Sequence, residues 1–283
     1  MSTRAQRIAA TGWDRARVLI KSAVTSKMEI VGLLLTPGIF LFMASQRSGF
    51  VAGSHIKQSL LMVTGGVAMV AAIEGLSSTA SMISMDRHDG TMLRLRGTPD
   101  GMPAYLVGRM LHICVRAAAA AVVMLVAAHL AFAMPLPSTP LKWATLVWVL
   151  VLGILATVPL GATLGALLDS QRASALLQLP VYALVMLSGV FVPFAAMPRY
   201  VQWVLEVFPV KWMAQGIRSA MLPDQMLVAE TSHSWQLPWV ALVLVAWTVA
   251  GMWLAPKMLH RAARKESGSK LAGRRQTAMA GGM

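Results

Sequence analysis

The sequence predicts an all-α polytopic membrane protein. It has six transmembrane helices, an N-terminal amphipathic interfacial helix, and external re-entrant helices between spans five and six. Three observations predict this fold. Apolar residues fill 57% of the 283 positions and charged residues only 13%, whereas soluble domains carry about 25% charge. Six stretches of 17 to 28 residues hold no Asp, Glu, Lys or Arg except Glu74, and about 20 apolar residues cross a hydrocarbon core of about 30 Å. Lysine and arginine fall unevenly between those stretches. With the N-terminus inside, 19 basic residues face the cytoplasm and 6 face outward, which places both termini in the cytoplasm of a multi-pass cell-membrane protein. The same composition excludes a soluble globule and a disordered chain. The formal charge of +14 belongs to membrane edges. It indicates no nucleic-acid partner, because the bases are not interleaved with aromatics on a compact domain.

Residues 1–29 read as a cytoplasmic leader. Trp13, Ala16, Ile20, Ala23 and Val24 recur at roughly helical spacing, with Arg15, Arg17 and Lys21 elsewhere on the wheel. Residues 12–28 are an amphipathic helix on the inner leaflet or, alternatively, a solvated basic leader that only sets topology. Six basic residues ahead of the first span argue against a cleaved signal.

The transmembrane domain covers 30–256, with spans at 30–46, 59–83, 107–133, 143–167, 174–193 and 237–256. The first is short and holds Pro37 and Gly38, so a soluble core helix is its alternative. The runs suit helices, since barrel strands are about 10 residues long and alternate. Gly161 and Gly165 in span four form a small-xxx-small pair that admits close helix approach, a weak signal for a dimer seam. Residues 257–283 form a basic cytoplasmic tail attracted to anionic lipid.

Three places carry candidate function. Glu74 is an acid well inside a span, where a charge costs about 2.5–3.5 kcal/mol and demands a partner. Arg116 lies at a similar depth by helical rise and is the expected partner, the alternative being a protonated Glu74 or one facing a wet cleft. The cytoplasmic loop 84–103 places Asp86, Arg87, His88 and Asp89 before Gly90-Thr91. A short segment with Arg94 and Arg96 follows, then Gly97, Pro99, Gly101 and Pro103 as helix breakers. Its length exceeds an ordinary helix connection and suits docking to a cytoplasmic partner, against the plainer reading of a polar turn. The external segment from Phe191 to Trp235, with its re-entrant part at 194–222, is divided by Pro193, Pro198, Pro209 and Pro223 into apolar pieces too short to span. It reads as re-entrant helices covered by protein or lining a wet cavity.

Catalytic chemistry is not signalled. The sequence contains no phosphate-cradling Walker loop, its histidines show no metal-ligand pairing, and Cys114 is the one cysteine. A bound cofactor or metal is therefore not expected in this chain.

Three segments carry a resemblance. The first is Asp86-Arg87-His88-Asp89-Gly90-Thr91-Met92-Leu93-Arg94-Leu95-Arg96-Gly97-Thr98-Pro99. The second is Leu187-Ser188-Gly189-Val190-Phe191-Val192-Pro193 with Met197-Pro198. The third is Phe208-Pro209 with Gly216-Ile217-Arg218. Together they resemble the membrane subunits of type-2 ATP-binding cassette exporters, with Phe208 where that family usually has Asn. The resemblance implies a permease subunit, not an enzyme, that pairs as a homodimer or heterodimer around a translocation path. It implies separate cytoplasmic ATPase subunits that hold ATP and Mg. It implies coupling to them through Asp86, Arg87, Asp89, Gly90, Thr91 and Arg94, with the leader helix contributing, and an external cap containing Pro193, Pro198, Pro209 and Arg218. Family members export drugs, antibiotics, polysaccharides, lipids or haem-related cargo, and the expectation for this chain is a hydrophobic or amphipathic cargo. The alternative outside that family is an ion-coupled secondary transporter using Glu74.

Overall fold

The computed structural model describes residues 3–50, 56–168, 171–189, 194, 197–230 and 233–265. Among them the secondary structure is helical, with one isolated bridge between Phe50 and Lys57. Five helices are long and apolar enough to cross a membrane. The protein is thus an all-α polytopic membrane protein.

Helix α1 (Arg4–Thr25) begins upstream of the predicted residue 12. A capping box explains the earlier start: Thr3 Oγ1 accepts from Gln6 N–H, and the Gln6 side chain accepts from Thr3 N–H at 2.8 Å. The apolar stripe of α1 does not lie on one surface. Gly12 and Ala16 are buried on α6, whereas Trp13 and Val24 remain exposed. A Cβ at Gly12 would stand 2.6 Å from Val107, so small residues allow this docking. Ser26 closes α1 and caps α2 (Lys27–Ser45) through Glu29 N–H. α2 is a peripheral span that buries few residues besides Pro37, Phe40 and Ala44.

The central rod is α3 (Gln58–Ile73), a π-helical turn (Glu74–Ser78) and α4 (Thr79–His88), continuous and almost wholly enclosed by its neighbours. Such π turns arise where a side chain disturbs the i→i−4 ladder, and they recur at functional sites. Here Thr79 Oγ1 donates to the Glu74 carbonyl at 3.1 Å. Beyond Gly90 come α5 (Thr91–Arg96) and α6 (Gly101–Phe132). The predicted loop 84–103 is therefore largely helical. Pro103 does not end a helix; it sits in the first turn of α6, where a missing N–H costs nothing.

Helix α7 (Pro140–Leu167) starts on Thr139 and Pro140 as cap and first residue. It crosses the rod where a Cβ at Gly161 would collide with the Gly75 and Leu76 carbonyls, and one at Gly165 would stand 2.5 Å from the Ala80 carbonyl. The small-residue pair read as a dimer seam is thus used within the chain. Helix α8 (Gln171–Leu187) has 17 residues and meets the π turn through Gln178, whose amide pairs with Ser77 and, at 2.7 Å, with Ser81. Of the rest of the predicted fifth span, Ser188 and Gly189 form a turn, and residues 190–193, including Pro193, lie outside the described residues.

Helices α9 (Arg199–Val207) and α10 (Pro209–Met221) follow, then a 3-10 turn (Asp224–Ala229) and α11 (Leu237–Lys265). α9 faces outward with Tyr200, Trp203, Val204 and Val207 and inward with Gln202 and Leu205. α10 is buried along its whole length against α7, α3 and α11. The main core joins α3, α6, α7 and α10; a second cluster gathers Ile83, Met92, Tyr105 and Leu259 at the α5 end.

Candidate functional site: a loop platform, a buried ion triad and a pinned cap

The loop platform is built from α4, α5 and the start of α6, beside α1. Asp86 is held twice: Tyr105 Oη donates to its Oδ2 at 2.6 Å, and Arg109 Nη2 lies 2.8 Å away. Arg87 points the other way. Only 3% exposed, it donates to the carbonyls of Ala166 at 2.9 Å and Leu168 at 2.6 Å. A guanidinium thereby satisfies the orphan carbonyls at the end of α7 and complements its dipole. Gly90 turns the chain at φ 71°, the left-handed region. Asp89 and Arg94 are the exposed charges here, and Arg94 also donates to Thr91 Oγ1 at 3.3 Å. Of the six residues predicted for coupling, then, Asp89 and Arg94 present charge outward, whereas Asp86 and Arg87 are tied inward. Arg4 joins α1 to the same platform through Asp100 at 2.7 Å. An open groove of about 440 Å³ separates α1 from it, lined by Asp14, Arg15, Asp86, Thr91 and Arg109 among others.

Deeper in the bundle, Arg116 Nε donates to Glu74 Oε2 at 2.8 Å, with Glu74 only 3% exposed. The same guanidinium also pairs through Nη1 with Glu29. Sequence reasoning did not single out Glu29 as a partner of Arg116. The signal that could have found it is its place at the third position of α2, one turn from the α1–α2 corner and so free to turn toward α6. His112 stands one turn before Arg116 and is 5% exposed; neither ring nitrogen has a hydrogen-bond partner among the described residues.

At the opposite end, Arg218 is 1% exposed. Its Nε and Nη2 each lie 2.8 Å from Glu230 Oε1, and its Nη1 donates to the Gly189 carbonyl at 3.2 Å. It pins the chain after α8 to α10. Pro198 and Pro209 serve as the residue before α9 and the first residue of α10, positions that suit a fixed φ and no donor. Sequence reasoning missed the buried Lys211, whose ammonium stands 3.5 Å over the Trp212 ring and 5.1 Å over Phe194. Burial lowers its pKa from 10.5 to about 8, against the pull of Glu230 and Glu206. Among the described residues no His, Cys, Asp and Glu group could hold a metal ion.

The structure thus places a charged platform at one end, a central rod, and a buried cap at the other. A family model described as ABC-2 type transporter matches residues 15–222. No curated protein matches the chain.

Proposed function

The chain belongs to the ABC-2 type transporter family, and from that premise we propose that it is the permease subunit of an export complex powered by a separate ATPase chain. ATP and Mg belong to that partner. Two permease subunits, identical or related, frame the path, and α8 supplies the remaining crossing of a six-span domain. The cargo is hydrophobic or amphipathic, with antibiotic efflux as the physiological reading. The protein sits in the cytoplasmic membrane with α5 and both termini inside and α9–α10 outside, as the distribution of Lys and Arg supports.

The family match over 15–222 carries this reading, since it includes the second half of α1, the α4–α5 platform and α9–α10. The platform is well suited to receive a push. Asp89 and Arg94 offer exposed charge, while Asp86 and Arg87 fasten the same turn to α6 and α7. Nucleotide binding in the partner favours one arrangement of the bundles only if the contacts differ between the two arrangements. Asp89 and Arg94 are where such a difference acts on this chain.

The test is cargo flux and ATPase rate in proteoliposomes containing the co-purified ATPase. Arg94→Ala and Asp89→Ala are expected to cut ATP-driven flux severalfold while membrane insertion stays normal; unchanged flux in both removes the coupling assignment. Glu74 bonded to Arg116 is an occupied carboxylate, which favours a structural role over ion coupling. Flux driven by an ion gradient without nucleotide, abolished in Glu74→Gln, would reverse that preference.

A further inference from the structure

A second cavity, of about 220 Å³, lies between α1, the start of α2 and the middle of α6. Its walls are apolar: Ile20 and Val24 from α1, Ile30 and Leu33 from α2, Val115 and Ala119 from α6. Its polar lining is three side chains: Glu29, His112 and Arg116. Nothing in the platform or the cap requires this space.

Two features of its polar floor point to a ligand. The first is charge. Arg116 is shared by Glu29 and Glu74, so the triad carries two carboxylates against one guanidinium. The next charge along the same helix, Arg109, is paired with Asp86 at 2.8 Å, although its field still reaches His112. Within the triad alone, one negative charge is left over, and Glu29 is the member turned to the cavity, its side chain 39% exposed. The second is His112. Its ring lines the cavity, is 5% exposed, and has both nitrogens unpartnered among the described residues. Buried polar atoms are normally satisfied, and a neutral imidazole has one donor and one acceptor to offer. The volume equals on the order of seven waters at about 30 Å³ each. That is room for a small polar head and a few carbons, with any longer apolar body leaving along exposed Val115 and Val24.

We propose that this cavity binds the ammonium head of an amphiphilic amine, with Glu29 as its counter-ion, His112 as a hydrogen-bond acceptor, and the apolar walls around the first carbons. The source is a membrane amphiphile or a free lipophilic amine; the shared chemistry is a cationic nitrogen on an apolar chain. The site is complete within one chain and needs no ATPase, so its failure and that of the transport reading are separable.

The experiment uses the full chain in nanodiscs of phosphatidylcholine, with three fluorescent probes of equal chain length: an alkylammonium, the neutral alkyl amide and an alkyl sulfonate. The ammonium probe is expected to bind at least about tenfold tighter than the amide, the size of one favourable charge contact partly screened by lipid and water. Glu29→Gln should erase that preference while leaving amide binding in place. Ala119→Phe, which fills the cavity from a half-buried position, should abolish binding of the ammonium probe. Competition by phosphatidylethanolamine vesicles would assign the site to a lipid head, and its failure to a free amine. Equal affinity for ammonium and amide, or undiminished ammonium binding in Ala119→Phe, overturns the proposal.

Discussion

At Arg116 one guanidinium serves two acids from different helices, so its loss is felt on both. Arg116→Ala would leave Glu74, 3% exposed, without a counter-charge. Removing one partner of a buried pair costs about 3–5 kcal/mol, and the expected readout is a clearly lowered unfolding midpoint in detergent. Arg116→Lys keeps the charge but has no planar fork to reach both carboxylates, and should fall between. A midpoint unchanged by Arg116→Ala would show that the triad bears no load. Lys211 makes a different prediction. Its pKa of about 8 lies below the usual 10.5 because burial opposes the cation. Between those values the unfolded chain keeps a proton that the folded one has released, so stability should rise as pH climbs from about 8 to about 10.5. Below that window the folded protein carries a buried charge. Lys211→Met should therefore raise the midpoint at pH 7 and flatten the alkaline rise; a steeper rise in the variant would contradict it. Lys211 is a residue that sequence could not single out. A lone lysine in an external segment looks solvated until α10 is seen to be buried on every side.

The turn between α4 and α5 rests on one residue. Gly90 has φ 71°, and a side chain there costs roughly 1–2 kcal/mol. Gly90→Ala is expected to lower the midpoint by that amount and to open the α4–α5 junction to limited proteolysis; wild-type resistance would mean that the turn relaxes freely. At this scale the sequence was informative at Pro209, read as a divider and found at the head of α10, whereas α7 begins at Pro140, ahead of the predicted 143. It was misleading at Pro103, because proline halts a helix only when a helix already runs into it. The π turn at Glu74 was illegible. It depends on packing against α7, which no local pattern encodes. The apolar character of segment 194–222 was legible but not which way α9 faces; Gln202 turns inward to donate to the Met197 carbonyl at 2.8 Å, and Trp203 and Val204 are left outward.

The bundle as a whole has a predicted sidedness. With Cys114 replaced by Ala, a single cysteine at exposed Gln225 should react with an impermeant maleimide in intact cells, and one at exposed Arg94 should react only after the membrane is opened. The reverse pattern would invert the topology. Membrane residence was plain in the sequence because a bilayer imposes long uncharged runs. The partnership of Glu74 with Arg116 was accessible too, since two opposite charges at one depth have few other choices. What stayed hidden was which helices touch: that α1 settles on α6, and that Gly161 and Gly165 pack on the π turn and α4. Those choices depend on side chains distant in sequence.

The clasp between Arg87 and the last carbonyls of α7 has a mechanical corollary. Two helices that share a footing there and interlock at Gly165 are joined as one girder along that stretch. Its far portion carries α10, through Gly153 against Met213 and Val149 against Gly216. A shove delivered beside Gly90 would pass straight into α7, and the places where the beam could flex on the way to the distant roof are Pro159 and the π turn beside it.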